Sequence, residues 1–144
     1  MTVPVALERS TRPPLRYRLL ARCVVLPARL MTRMSPGRIR SVLAFLAGSA
    51  GPAGSAEALA ARNAVVHVSR RCAGPGCLQR SIATFLLCRI GGTVPEWCTG
   101  VRVSPFRAHA WVEVDGSPVG ELGEVRHFHK VMTVRPVIVV RDDD

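Results

Sequence analysis

The sequence predicts an α+β fold, with N-terminal helices followed by a nucleophile-bearing helix packed on an antiparallel sheet of about four strands. Three observations predict it. Apolar residues recur at helical spacing as far as Arg89, the period drops to two from Trp97 onward, and Asp115-Gly116 marks a hairpin between two alternating runs. At 144 residues the chain suits one domain with one core. The expected organisation is a flexible 1–14, a single domain over 15–140 (a helical part, 15–69, and a catalytic core, 70–140), and an acidic tail at 141–144.

The helices follow in order. Between 15 and 34, Leu19, Leu20, Cys23, Val24 and Leu30 alternate with arginines, predicting an amphipathic helix interrupted or kinked at Pro27. Ser35-Pro36-Gly37 is a turn in which Ser35 can cap a second helix, 38–46, with Ile39, Val42, Leu43 and Leu46 inward. A third helix starts at Ser55-Ala56-Glu57 and runs to about Ser69. The stretch 70–76 reads as a compact basic loop, and 78–89 as the clearest helix, ended by Gly91-Gly92. Strands are expected over 97–103, 108–114, 119–122 and 128–134, with 137–140 as a further edge strand or tail.

Charge is uneven. Residues 1–40 hold nine arginines against Glu8 alone, while 41–144 hold eleven basic and nine acidic groups. A solvated basic face is favoured over a nucleic-acid surface, because no zinc-finger spacing, aromatic-basic RNA motif or Gly-x-x-Gly clamp accompanies the charge. The weakest-polarity window, 41–61, is broken by Gly48, Gly51, Pro52 and Gly54, which argues against a membrane span. No secretory signal is recognisable at 1–9, so the five cysteines are expected as free thiols in a cytoplasmic setting. No cofactor is expected. Cys72 and Cys77, with His67, Cys98, His127 and His129, are the residues that could hold zinc, but no finger spacing links them and no metal site is expected.

Two stretches carry the chemistry. Gly74-Pro75-Gly76-Cys77 places a thiol in the first turn of a helix, where unpaired N–H groups and the helix dipole favour a thiolate and an oxyanion. Cys88 lies eleven residues on, ~16 Å up the axis, and is assigned to the core. Downstream, His109 begins a strand with Trp111 and Glu113 on its face and Ala110, Val112 and Val114 on the other. A base needs an orienting acceptor, and Glu113, Asp115 and Glu121 are the candidates. Register separates them. A two-residue Asp115-Gly116 turn sets His109 against Leu122, whereas a three-residue loop with Gly116 left-handed sets it against Glu121. A triad through Glu121 therefore predicts the three-residue loop.

Together, Cys72-Ala73-Gly74-Pro75-Gly76-Cys77-Leu78-Gln79-Arg80-Ser81, then 92–102, then Ala108-His109-Ala110-Trp111-Val112-Glu113 and Asp115-Gly116 resemble the leader peptidases of lasso-peptide biosynthesis. These belong to the transglutaminase-like, papain-like superfamily, and the resemblance covers about 15–135. It implies Cys77 as nucleophile, His109 as base, and an acid on the next strand, a place Glu121 occupies where the family often has Asp. It also implies the standalone form, which takes a leader-core precursor peptide, a separate leader-recognition protein and an ATP-dependent macrolactam cyclase as partners. Arg16, Arg18 and Arg22 are then candidates for a docking face. Two other readings stay open from the residues: acyl or amide transfer to an amine by the same pair, and a non-catalytic basic binding protein.

Overall fold

The structure is a computed structural model that describes residues 12–121 and 123–138. Five helices come first: α1 (Leu15–Met31), α2 (Pro36–Ala47), α3 (Ser55–Val68), the single turn α4 (Arg70–Ala73) and α5 (Cys77–Ile90). A two-residue strand, β1 (Gly51–Pro52), lies between α2 and α3 and pairs in parallel with β2 (Thr93–Val94). The main sheet comprises β3 (Glu96–Val103), β4 (Phe106–Val114), β5 (Ser117–Pro118) and β6 (His129–Val134), in the antiparallel order β5-β4-β3-β6. A short 3-10 turn, Gly123–His127, precedes β6. The expected α+β architecture with a four-stranded antiparallel sheet is what forms.

α5 is the centre of this arrangement. α1 and α3 pack on one side of it and β4 on the other, so it is buried on nearly every face rather than along one stripe. Ile82, Ala83, Phe85 and Leu87 meet Ala21, Val24, Ala58, Ala61 and Val65 from the helices, and Trp97, Val112 and Val114 from the sheet. Small residues at the α1 and α3 contacts allow the helices to approach closely. Polar residues of α5 are buried too, each with a bond. Gln79 donates to Val25 O at 2.8 Å, Thr84 to Arg80 O at 2.8 Å, and Ser81 Oγ accepts from Trp97 Nε1 at 3.0 Å.

The alternation of β4 is that expected. Its partners on β3 (Trp97↔Val112, Thr99↔Ala110) place Ala110, Val112 and Val114 against α5. His109, Trp111 and Glu113 face the other way, where Trp111, Cys98 and Val125 form a second small core with Phe128. This face is what the 3-10 turn covers.

Several expectations are corrected. Pro27 does not interrupt α1, which is continuous through it. Ser35 stands before α2 in extended conformation without a side-chain cap bond, and Pro36 opens the helix instead. The 70–76 stretch is not all loop, because Ser69 Oγ accepts from Cys72 N at 3.2 Å and starts the turn α4. The returning strand is Ser117–Pro118 rather than 119–122. Val137 and Ile138 form no strand; 139–144 and 1–11 lie outside the described residues. No helix among the described residues is long and apolar enough to cross a membrane.

Candidate active site

Cys77 starts α5 after a tight approach. Gly76 takes φ −83° and ψ 53°, an inverse γ-turn in which Cys77 N–H donates to Pro75 O at 3.0 Å. Gly76 N–H reaches back to Arg71 O at 2.8 Å, and a Cβ on Gly76 would lie 2.7 Å from that oxygen. The position therefore requires glycine for space. Cys77's own N–H is committed to this turn, so the N–H groups of Leu78 and Gln79 are those the helix start leaves for an anion.

The hairpin brings the partners together by an unexpected route. Asp115 (φ 51°) and Gly116 (φ 77°) form a two-residue turn, with Val114 opposite Ser117 and Glu113 opposite Pro118. Positive φ at both positions matches the twist of the flanking strands. The three-residue loop is thus overturned. The shift that it was meant to supply occurs later, at Gly120 (φ 67°), after Val119 N–H has bonded Val112 O at 2.9 Å. A left-handed residue there turns the chain out of the ladder, and Glu121 swings to His109.

The departure has a second effect. Ala110 is the next β4 residue whose backbone faces the edge that Val119 leaves. Its N–H is free to bond the Cys77 sulfur instead of a neighbouring strand.

The resulting row is Cys77, His109, Glu121. His109 Nε2 lies 3.0 Å from Glu121 Oε2, and the ring also hydrogen-bonds the Cys77 thiol, which leaves Nδ1 for the sulfur. Trp111 stacks on the imidazole with ring centres 5.7 Å apart and planes 15° from parallel, and Phe128 leans on it at 5.6 Å. The ring is therefore held in orientation from both its edges and its face. Two buried arginines back the acid: Arg62 Nη2 at 3.6 Å and Arg80 Nη2 at 3.9 Å from Glu121 Oε1. Arg80 also donates to Cys72 O at 2.9 Å and Gly74 O at 3.4 Å, so a single guanidinium joins the loop before the thiol to the acid beyond the base.

Charge follows this geometry. Burial opposes ionisation of Cys77, but hydrogen bonds from His109 and Ala110 N–H, with the positive charges of His109 and Arg80, hold the thiol below its ordinary value. Burial likewise opposes a charged His109, yet its bonds to Cys77 and Glu121 and their charges push it up to about 9. Burial would raise Glu121, but the His109 bond and the charges of His109, Arg62 and Arg80 hold it below the usual carboxylate value. The directions at Cys77 and His109 both shift the pair toward thiolate and imidazolium. A groove of about 310 Å³ opens beside Cys77 and His109.

The other sequence candidates lie elsewhere. Glu113 accepts from Trp111 Nε1 at 2.9 Å and from Lys130 Nζ at 2.7 Å, so both of its oxygens are engaged away from His109. Asp115 is exposed at the hairpin tip, making the turn. Cys72 is buried and its thiol raised by that burial. Glu96, Cys98 and Glu113 have ligand-type atoms within 4.8 Å of one another, but Lys130 already supplies a cation to both carboxylates, at 3.8 and 2.7 Å. Arg62 and Arg80 escaped the sequence reading. For Arg80 a signal existed, its place one turn after Cys77 on a helix where arginine is otherwise costly to bury.

Comparison with family models matches residues 21–133 to a core domain of the transglutaminase-like superfamily. Comparisons with curated proteins and with solved structures find no match.

Proposed function

The chain belongs to the transglutaminase-like superfamily, and from that premise we propose that it is a cysteine peptidase whose nucleophile, base and acid are Cys77, His109 and Glu121. The superfamily includes cysteine peptidases. The observation that carries the reading is the imidazole of His109 bonded on one side to the Cys77 thiol and on the other to Glu121.

The thiolate attacks a peptide carbonyl, and the tetrahedral oxyanion lies near the free N–H groups at the start of α5. Protonated His109 gives its proton to the departing amine, leaving a thioester on Cys77. His109, now neutral, takes a proton from water, which attacks the thioester and releases a carboxylate and the thiol. Glu121 keeps the ring in one tautomer and balances its charge throughout. The exposed Ala108 and half-buried Leu78 leave the sulfur open to a chain-like substrate.

The substrate we propose is the precursor of a lasso peptide, cut at the end of its leader in the cytoplasm. The motif order from Cys72 to Gly116 supports this, and it brings a separate recognition protein and an ATP-dependent cyclase as partners. The test mixes precursor, recognition protein and either wild type or Cys77→Ala, with products read by mass spectrometry. Wild type should release leader with a free carboxylate, and Cys77→Ala should be slower by about 10³-fold or more. Undiminished cleavage by Cys77→Ala overturns the assignment. An amine-linked leader would instead identify the enzyme as an acyl transferase using the same thioester.

A further inference from the structure

The groove beside Cys77 has a composition that speaks to what it accepts. Its floor is the α5-facing side of β3 and β4, where Thr99 opposes Ala110 and Val101 opposes Ala108. Alanine at both β4 positions leaves room that a larger side chain would fill. Leu78, next to Cys77 on α5, lines the groove as well. The far rim comes from β6, through a bulge: Met132 opposes Thr99 and Lys130 opposes Gly100, so Val131 is an extra residue. A bulge re-aims the side chain it inserts, and Val131, although 61% exposed, lines the groove. Among the described residues, no ionisable side chain apart from Cys77 and His109 lines it, and Thr99 brings the only hydroxyl.

We propose that this groove selects an aliphatic side chain, of the size of Leu, Ile or Met, on the acyl-donor peptide within a few residues of the carbonyl that Cys77 attacks. The inference rests on the reading of Cys77 as the nucleophile. A charged side chain entering the groove sheds water and meets no partner, which is costly. An aliphatic one gains by leaving water. A volume of about 310 Å³ sits at the small end of ligand sites, which suits one or two side chains rather than a bulky group.

The experiment uses tri-glycyl chloromethyl ketone and its analogues with Leu, Asp or Lys placed at one position at a time. The Cys77 sulfur displaces chloride to form a thioether, and intact mass against time gives the labelling rate. At one position Leu should label wild type at least about tenfold faster than Asp or Lys. In Ala108→Phe, a change at an exposed strand position, that ratio should fall toward one. In Val131→Glu the preference should move from Leu toward Lys. Ratios below about threefold at every position, or a Leu preference that survives in both variants, overturn the groove's role. A separate control labels wild type with iodoacetamide. If Cys77 reacts no faster than the exposed Cys23, the nucleophile reading itself fails, and the groove proposal falls with it.

Discussion

Cys77 and Cys88 stand at opposite ends of one helix, eleven residues apart and on nearly the same face. Cys88 is buried and Cys77 half-buried, and burial pushes both thiols upward. At Cys88 nothing opposes that push, and the neighbouring Glu57 carboxylate adds to it, so the thiol rises to about 12. At Cys77 the imidazolium of His109, the N–H of Ala110 and the charge of Arg80 outweigh burial and bring the thiol down. The helix alone does not make the difference. His109 and Ala110 from β4, with Arg80 one turn along the same helix, make it, and the helix start serves to present the sulfur to them.

The largest expected effect is in reactivity. At pH 7, iodoacetamide should modify Cys77 faster than Cys88 by about 10³-fold or more, because the thiolate fractions differ by orders of magnitude and access adds to that. Peptide mapping of the alkylated protein measures it, and comparable labelling of the two would erase the contrast. Cys88→Ala should leave precursor cleavage within about twofold of wild type, at a stability cost of ~1 kcal/mol.

Next in size is Glu121→Gln, which keeps the shape and removes the charge. It should lower kcat/KM by about 10²–10⁴-fold and change the pH profile. In wild type the reactive pair exists where Cys77 is ionised and His109 still holds its proton. Activity falls on the acid side as the lowered thiol is reprotonated, and on the alkaline side as pH rises through about 9 and His109 is deprotonated. Without Glu121, His109 loses one of the groups that raise it, so the alkaline limb should move toward neutral pH. A limb that stays near 9 would detach Glu121 from the site.

The smallest expected effect is structural. Gly120 has φ 67°, and a Cβ there would lie 2.7 Å from Arg62 Cδ. Gly120→Ala should destabilise by ~1–2 kcal/mol in urea melts and lower activity by misplacing Glu121. Gly116→Ala, at φ 77° but in open space, should cost stability with a smaller effect on activity. Equal losses of activity would mean that Gly120 does no more than any turn residue.

Much of this site was legible in the chain. The apolar repeat through Phe85 marked the central helix, Gly74-Pro75-Gly76 marked its sharp start, and strict alternation from His109 to Val114 fixed which side chains share a face. Glu121 was among three candidate acids. The device that delivers it was misread, because Asp115-Gly116 accommodates either loop length and a single glycine at 120 looks like any other within a short run. The turn chose the cheaper two-residue form, and the correction came four residues after Gly116. Arg62 was invisible for a simpler reason. It lies far from Glu121 in sequence, and nothing local distinguishes a buried arginine from a solvated one.

What the amino-acid sequence determined by itself is what depends on neighbours along the chain: element type, the face each residue takes, and the placing of a thiol at a helix start. Those follow from periods of 3.6 and two residues and from the backbone freedom of glycine. Only the tertiary structure decided that Cys77 differs from Cys88. That difference needs Ala110's N–H at an abandoned sheet edge, His109 aligned by Trp111 and Glu121, and Arg80 between two loops. Electrostatic tuning acts over a few ångströms of space rather than a few residues of chain, so it is settled where the chain meets itself.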